Sequence, residues 1–179
     1  GKIELSVPGE HNVLNSLAAI ASAMYCGASV EQCRNSILTF KGAGRRFEFL
    51  GTYNGADIVD DYAHHPDEIK VTLATAKDIA KNRVVTVFQP HNYSRLRDLF
   101  DDFAKSFNDT DLLILCPLYA ARDGSGTEVS SELLAKRING AIYLESFDEI
   151  KEFLKHELKT GDLLMIMGAG DITKLANSI

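Results

Sequence analysis

Most of this chain alternates between short, continuous apolar runs and longer stretches whose apolar residues recur every three or four positions. Arg83 to Phe88, Leu112 to Cys116, Ala141 to Leu144 and Leu163 to Met167 are the continuous runs, and each is short enough to be one strand. The intervening stretches carry a helical period. Ile69, Leu73, Ala76 and Ala80 follow Pro66, and Leu96, Leu99, Phe100, Phe103 and Phe107 follow Ser94, a candidate N-cap. Ser130 to Ile138 and Phe147 to Leu158 predict two further helices. Arg46 to Leu50 and Ala56 to Val59 flank Tyr53-Asn54-Gly55, which predicts a hairpin. Strands with no polar face must be covered on both sides, so this part predicts an α/β fold around a mostly parallel sheet.

The first residues follow a different pattern. Lys2 to Val7 alternate polar and apolar, which predicts a strand with one wet face, and Pro8-Gly9 ends it. A helix is predicted from about Asn12 to Tyr25. Val13, Leu17, Ile20 and Met24 form one stripe, and Leu14, Ala18, Ala21 and Tyr25 another beside it. A helix this apolar needs neighbours on several sides. The short helix expected from Ser29 to Leu38 is too small to supply them. Residues 1–44 therefore read as the tail of a larger domain, Gly42-Ala43-Gly44 as the boundary, and residues 45–179 as a domain of their own.

Composition narrows the class. The 179 residues are 45% hydrophobic and 25% charged, as in a soluble globular protein. A net charge of -6 argues against a nucleic-acid surface. No apolar run approaches the ~20 residues of a membrane span, and no signal peptide is recognised. Cys26, Cys33 and Cys116 form no CxxC pair and read as reduced thiols, so a cytoplasmic setting is expected.

Candidate chemistry is concentrated in loops. Val59-Asp60-Asp61-Tyr62-Ala63-His64-His65-Pro66 packs two carboxylates, a phenol and two imidazoles between a strand and a helix start. Open α/β sheets bind ligands at such places, and a free helix N-terminus suits phosphate or carboxylate. His11, Asn12 and Asn15 begin the first helix. Asn12 and Asn15 share a face and can donate and accept, as an adenine edge requires, although capping by Asn12 is the plainer reading. Arg45-Arg46 after the glycine-rich turn suits a phosphate or, equally, a solvated hinge. In Gln89-Pro90-His91-Asn92-Tyr93-Ser94-Arg95, His91 and Arg95 could bind a carboxylate or stabilise developing charge; alternatively, Ser94 caps the helix and Arg95 lies in solvent.

Two motifs carry less than they first suggest. Gly168-Ala169-Gly170-Asp171 lacks the third glycine of a dinucleotide fingerprint and follows the last strand, which argues against an NAD oxidoreductase. A packing role is expected there, with Asp171 capping a final short helix. His64-His65 has no further ligand spacing, so no metal is assigned. There is also no GxxxxGK[ST] loop to hold nucleotide phosphates.

Pro8-Gly9-Glu10-His11-Asn12-Val13-Leu14-Asn15, Gly44-Arg45-Arg46-Phe47-Glu48, Asp60-Asp61-Tyr62-Ala63-His64-His65-Pro66, Phe88-Gln89-Pro90-His91 and Met167-Gly168-Ala169-Gly170-Asp171-Ile172 occur in this order across nearly the whole chain. Together they resemble the ATP-dependent Mur ligases of bacterial cell-wall synthesis, most closely the branch that joins L-alanine to UDP-N-acetylmuramate. The resemblance implies a Rossmann-like C-terminal domain over residues 45–179. It is preceded by the helical tail, 1–44, of a central ATPase domain. The phosphate loop and the Mg2+ ligands would then lie upstream, in N-terminal and central domains that act as partners of this segment. ATP is the implied cofactor, and the segment alone is expected to be inactive.

By position, the resemblance implies that His11, Asn12 and Asn15 face adenine, Arg46 the nucleotide phosphates and Asp61 the ribose hydroxyls. Tyr62, His64, His91 and Arg95 would line the pocket for alanine and the muramoyl carboxylate, with His64, His91 and Arg95 catalytic. Asn92 stands where some members have Arg, which leaves Arg95 as the main fixed cation there. The segment from Ala121 to Thr127 is given no role. Two alternatives stay open: a sister ligase that attaches an intact tripeptide, whose loop usually has Phe where this chain has Tyr62, and a non-catalytic nucleotide-binding module.

Overall fold

The computed structural model describes residues 2–121, 123 and 128–179. The chain divides into two compact units, Gly1–Gly44 and Arg45–Ile179. Most of the segment 121–127 therefore lies outside the described residues. No described helix is long and apolar enough to cross a membrane.

In the first unit, α1 spans Glu10–Tyr25 and α2 spans Val30–Thr39. Gly9 at φ 100 turns the chain into α1, a backbone angle that glycine takes without strain. Asn12 lies inside the helix instead of capping it, and its amide donates to the Pro8 carbonyl at 2.6 Å. Ser29 accepts from the Gln32 N–H while the Gln32 side chain accepts from the Ser29 N–H, a reciprocal cap that starts α2.

The strand expected over Lys2–Val7 does not form. Its alternation persists as half-buried Ile3, Leu5 and Val7 between exposed Lys2, Glu4 and Ser6. No described strand pairs with it; instead the Lys2 carbonyl accepts from the Arg34 guanidinium and the Ser6 hydroxyl donates to the Phe40 carbonyl. Periodicity fixes which side chains turn inward, but a strand also needs a partner for its N–H and C=O groups. Val13, Leu14, Leu17, Met24 and Tyr25 of α1 are exposed.

The second unit is a six-stranded sheet with helices on both faces. β1 (Glu48–Tyr53) and β2 (Ala56–Asp61) form the expected hairpin. It turns at Asn54 and Gly55, both at positive φ as a two-residue turn between twisted strands requires. Then follow α3 (Pro66–Ile79), β3 (Val84–Phe88), α4 (Tyr93–Asp98), α5 (Phe100–Ala104), β4 (Leu112–Leu115), α6 (Ser131–Arg137), β5 (Ile142–Tyr143), α7 (Phe147–Glu157), β6 (Leu163–Met167) and α8 (Thr173–Ala176). The strand order is β1-β2-β6-β3-β4-β5, and every pair except β1 with β2 is parallel.

The sheet is a mostly parallel α/β sheet, and its two-sided burial follows from the strand pleat. In β6, Leu163, Met165 and Met167 face one core with Ile69 and Leu73 of α3, Leu96 of α4, Phe103 of α5 and Leu134 of α6. Leu164 and Ile166 face the other core with Ile150 and Leu154 of α7 and Leu175 of α8. The last crossover returns β6 to the middle of the sheet, between β2 and β3. The loops that leave the carboxyl ends of β2, β6, β3 and β4 are thereby set side by side, where such sheets hold ligands.

Candidate functional site

Four of these loops bring together residues from distant parts of the sequence. At the end of β2, Asp61 is buried. One of its oxygens accepts the Phe47 N–H at 2.7 Å. The other accepts the Ala63 N–H at 2.8 Å and stands 3.4 Å from the Thr72 hydroxyl. Burial pushes the Asp61 carboxyl above its ordinary value, against the pull of those N–H groups and of Arg46. Asp61 thus ties the loop before β1 to the loop after β2.

Tyr62, His64, His91 and Tyr119 form a row of rings. Tyr62 and His64 meet edge to face with centroids 5.2 Å apart, and His64 and His91 lie 6.0 Å apart. His91 stacks on Tyr119 at 5.6 Å and 21°. The guanidinium carbons of Arg45 and Arg46 lie 5.0 and 5.4 Å from the Tyr62 ring centroid, within cation–π range. Arg45 is paired with Asp60 at 3.0 Å. Arg46 has no carboxylate within 4 Å among the described residues, so its charge is available to a ligand.

His64 is fixed by its own neighbourhood, with Nδ1 2.9 Å from the Tyr62 carbonyl and 3.3 Å from Glu68. The N-terminus of α3 is not the open anion site that the sequence suggests. Glu68 accepts the N–H groups of His64 and His65 at 3.0 and 3.2 Å, and the His65 ring accepts from Asp67 at 3.3 Å. A helix end already filled by its own carboxylate has little left for phosphate. Against the cost of partial burial, those N–H groups and the nearby His64 and Arg46 charges keep Glu68 below the usual glutamate range.

The loop after β3 departs from expectation in its details. Asn92 takes the N-cap position of α4 at φ 67, a left-handed angle that Asn tolerates better than most residues. Ser94 does not cap; its N–H and hydroxyl donate to Asp123 at 3.1 and 2.7 Å. These two bonds, the hydroxyl's first, hold the Asp123 carboxyl low. Arg95 donates to the His91 carbonyl at 3.2 Å. The His91 ring is pushed below its ordinary value by burial first, then by the charges of Arg95 and His64. Its Nδ1 and the Asn92 Oδ1 are buried with no partner among the described residues.

The loop after β6 is a packing element, with Gly168 and Gly170 against Gln89 and Tyr119. A methyl group on Gly170 would stand 2.4 Å from Gln89 Oε1 and 2.7 Å from the Tyr119 ring. Asp171 does not cap α8 with its side chain; it accepts from the Gln89 amide at 2.9 Å. Cys116 lies beneath this loop, its thiol pushed up to about 12 by burial and by the Asp171 charge, so it is inert. All three cysteines are free.

Arg46, Asp61, Tyr62, His64, His91 and Arg95 therefore share the carboxyl edge of the second unit's sheet. His11, Asn12 and Asn15 lie on α1 of the first unit, where His11 Nδ1 is buried without a partner among the described residues. The sequence reading missed Tyr119. A tyrosine shortly after a buried strand, at the same sheet edge as His91, was the available signal. It also left Asp60 without a task. Among the described residues, no group of three or more His, Cys, Asp or Glu side chains is placed to hold a metal ion.

A family model described as Mur ligase, glutamate ligase domain, matches residues 45–170. The chain belongs to the Mur ligase family. It is 48% identical over 177 residues to UDP-N-acetylmuramate–L-alanine ligase of Clostridium acetobutylicum, which covers 97% of this chain and 39% of that protein. It is also similar to the solved structure of UDP-N-acetylmuramate-alanine ligase from Thermotoga maritima, with a TM-score of 0.82 and 28% identity over 98% of this chain and 38% of that one. A murein peptide ligase from Psychrobacter arcticus gives a TM-score of 0.67 at 27% identity, over 98% of this chain and 37% of that one. The chain spans about 39% of the length of the curated relatives it matches.

Proposed function

We propose that this chain is the C-terminal part of an ATP-dependent ligase that joins L-alanine to UDP-N-acetylmuramate. The observation that carries the reading is the convergence of Arg46, Tyr62, His64, His91 and Arg95 along one sheet edge from segments far apart in sequence. The 48% identity to a ligase of that name supports the choice of substrates. Residues 1–44 are the tail of the central ATPase domain, and the exposed apolar stripe of α1 is the face that the rest of that domain covers.

The reaction runs in two steps. A carboxylate oxygen of UDP-N-acetylmuramate attacks the γ-phosphorus of ATP, ADP departs, and an acyl phosphate forms. The alanine nitrogen then attacks the acyl carbon, the bond from that carbon to the phosphate oxygen breaks, and the proton shed by the nitrogen as the amide forms passes to the departing phosphate. Charge grows on phosphoryl and carbonyl oxygens in both steps, so fixed cations lower both barriers.

The roles proposed for this chain belong to guanidinium, imidazole, phenol, amide and carboxylate groups. Arg46 approaches the nucleotide phosphates. Asp61 keeps one acceptor direction for a ribose hydroxyl while its other bonds hold the loop. His11, Asn12 and Asn15 meet the adenine edge. Arg95 and His64 stabilise the carboxylate and the developing oxyanion. His91, neutral at pH 7, accepts a hydrogen bond from the amine. Magnesium accompanies ATP, with its ligands outside this segment.

The test is amino-acid-dependent phosphate release by the full-length protein with ATP and UDP-N-acetylmuramate, across L-alanine, glycine, L-serine and the tripeptide. Preference for L-alanine is expected. Preference for the tripeptide would move the protein to the peptide-recycling branch, and no release with any acceptor would leave only the fold and the family. The 179 residues by themselves are expected to turn over no ATP.

A further inference from the structure

Asp60 is buried at the end of β2, on the opposite face of the strand from Asp61. Its Oδ2 accepts from Arg45 Nε at 3.0 Å and from the Thr173 hydroxyl at 3.1 Å, while its Oδ1 is buried with no partner among the described residues. Arg45 also donates to the Gly168 carbonyl and lies over the Tyr62 ring at 5.0 Å. Buried ion pairs are an inefficient way to gain stability, and this one leaves an acceptor unsatisfied as well.

The segment that the pair holds is itself strained. Arg45 and Phe47 both sit at left-handed φ, 56 and 49, on either side of Arg46. Neither is a residue that favours this region, and such angles persist only where surrounding contacts enforce them. The enforcing contacts come from β2 and its neighbours. The Arg45 carbonyl accepts the Tyr62 N–H at 2.8 Å, the Arg45 N–H donates to Glu48 at 2.6 Å, and the Phe47 N–H donates to Asp61 at 2.7 Å. The Asp60–Arg45 pair is the side-chain member of this set. Together they leave Arg46 over the Tyr62 ring, 5.4 Å from its centroid, with its charge unpaired among the described residues.

We infer that Asp60 is a positioning residue: by holding Arg45, it keeps the strained loop in the shape that aims Arg46 at a nucleoside triphosphate, without touching that ligand itself. The inference rests on the assignment of Arg46 to the nucleotide phosphates. Asp60 and Arg45 act as one unit, and their effect on ligand passes through Arg46.

The experiment is steady-state kinetics of the full-length enzyme carrying Asp60→Asn, Arg46→Ala and both, with thermal melting of each. Asp60→Asn is expected to raise the KM for ATP by about tenfold while kcat at saturating ATP changes far less, because orientation of a binding cation is lost and the other groups remain. Arg46→Ala is expected to raise the same KM, and adding Asp60→Asn to it should raise it little further. A KM unchanged by Asp60→Asn, or an equal rise in both backgrounds, would overturn the proposal.

Arg45→Lys carries the same test if Asp60→Asn does not fold. It keeps the charge but loses the fork that spans Asp60 and Gly168, so a rise in the KM for ATP is expected and an unchanged KM would overturn the proposal. An active wild type whose KM is indifferent to Arg46→Ala would remove the assignment of Arg46, and the clamp's ligand role with it. Sensitivity to Arg46→Ala together with indifference to Asp60→Asn would remove the clamp alone.

Discussion

His91 stacks on Tyr119 beside a second imidazole and a guanidinium, and its burial and those last two groups affect its proton. Burial and the two cations make the protonated ring costly in the folded chain, so its folded value lies below 6.5. The unfolded chain binds that proton more readily. His91 therefore contributes stability in full above about pH 6.5, and the contribution is lost as pH falls through the lower folded value. An NMR titration of the ring should follow this direction. Arg95→Gln should move the midpoint upward without restoring 6.5, since burial, the largest cause, remains. A midpoint indifferent to Arg95 would separate the two residues electrostatically. Asp61 has a different task from its neighbour Asp60. Asp61→Ala should raise the KM for ATP in the full-length enzyme and also lower its melting temperature, because the Phe47 and Ala63 N–H groups lose their acceptor. Unchanged kinetics and melting would remove it from both roles.

At the scale of elements, short polar contacts decide where the helices begin. Ser130 accepts from the Leu133 N–H and Ser146 from the Glu149 N–H, each capping a helix whose apolar side lies on the sheet. Ser146→Ala should cost roughly 1 kcal/mol through the cap of α7, whereas Leu154→Ala on the same helix should cost about 2–5 kcal/mol, because Leu154 is fully buried. Urea midpoints of the two variants would rank them; the reverse order would mean that α7 is not packed as described. The loop after β6 is the more sensitive element. Gly170→Ala puts a methyl group into Gln89 and Tyr119, and Tyr119 stacks on His91, so loss of activity should accompany loss of stability. Assay and melt together would show both or neither.

For the whole molecule, the return of β6 to the sheet centre is what makes a site possible. It puts the glycine loop 168–170 between the ends of β2 and β3, and the close approach allowed by Gly168 and Gly170 brings the Gln89 and Tyr119 segment against it. Residues separated by up to 57 positions, Tyr62 and Tyr119, thus belong to one row of rings. The phosphate-release assay belongs to this scale and is made on the full-length protein, since the 179 residues span about 39% of the relatives they match.

Local chemistry was enough to read much of this molecule. Helices and buried strands followed from apolar spacing, the hairpin from Asn54-Gly55, and the polar clusters at strand ends from their residue types, because each of these depends on neighbours a few positions away. Partnership between distant segments was not readable. Lys2–Val7 has a strand's alternation but no described strand beside it. Ser94 has a capping side chain but turns to Asp123, and the start of α3 is closed by Glu68. Arg45 and Arg46 look alike in sequence, yet one is paired with Asp60 and the other is not. The sequence by itself determined the periodicities, the elements and the inventory of candidate groups. Only the tertiary structure decided which of those groups are consumed by holding one another and which remain for a ligand, because a hydrogen bond or ion pair across the sheet depends on strand order and burial, and neither is encoded in any short window of residues.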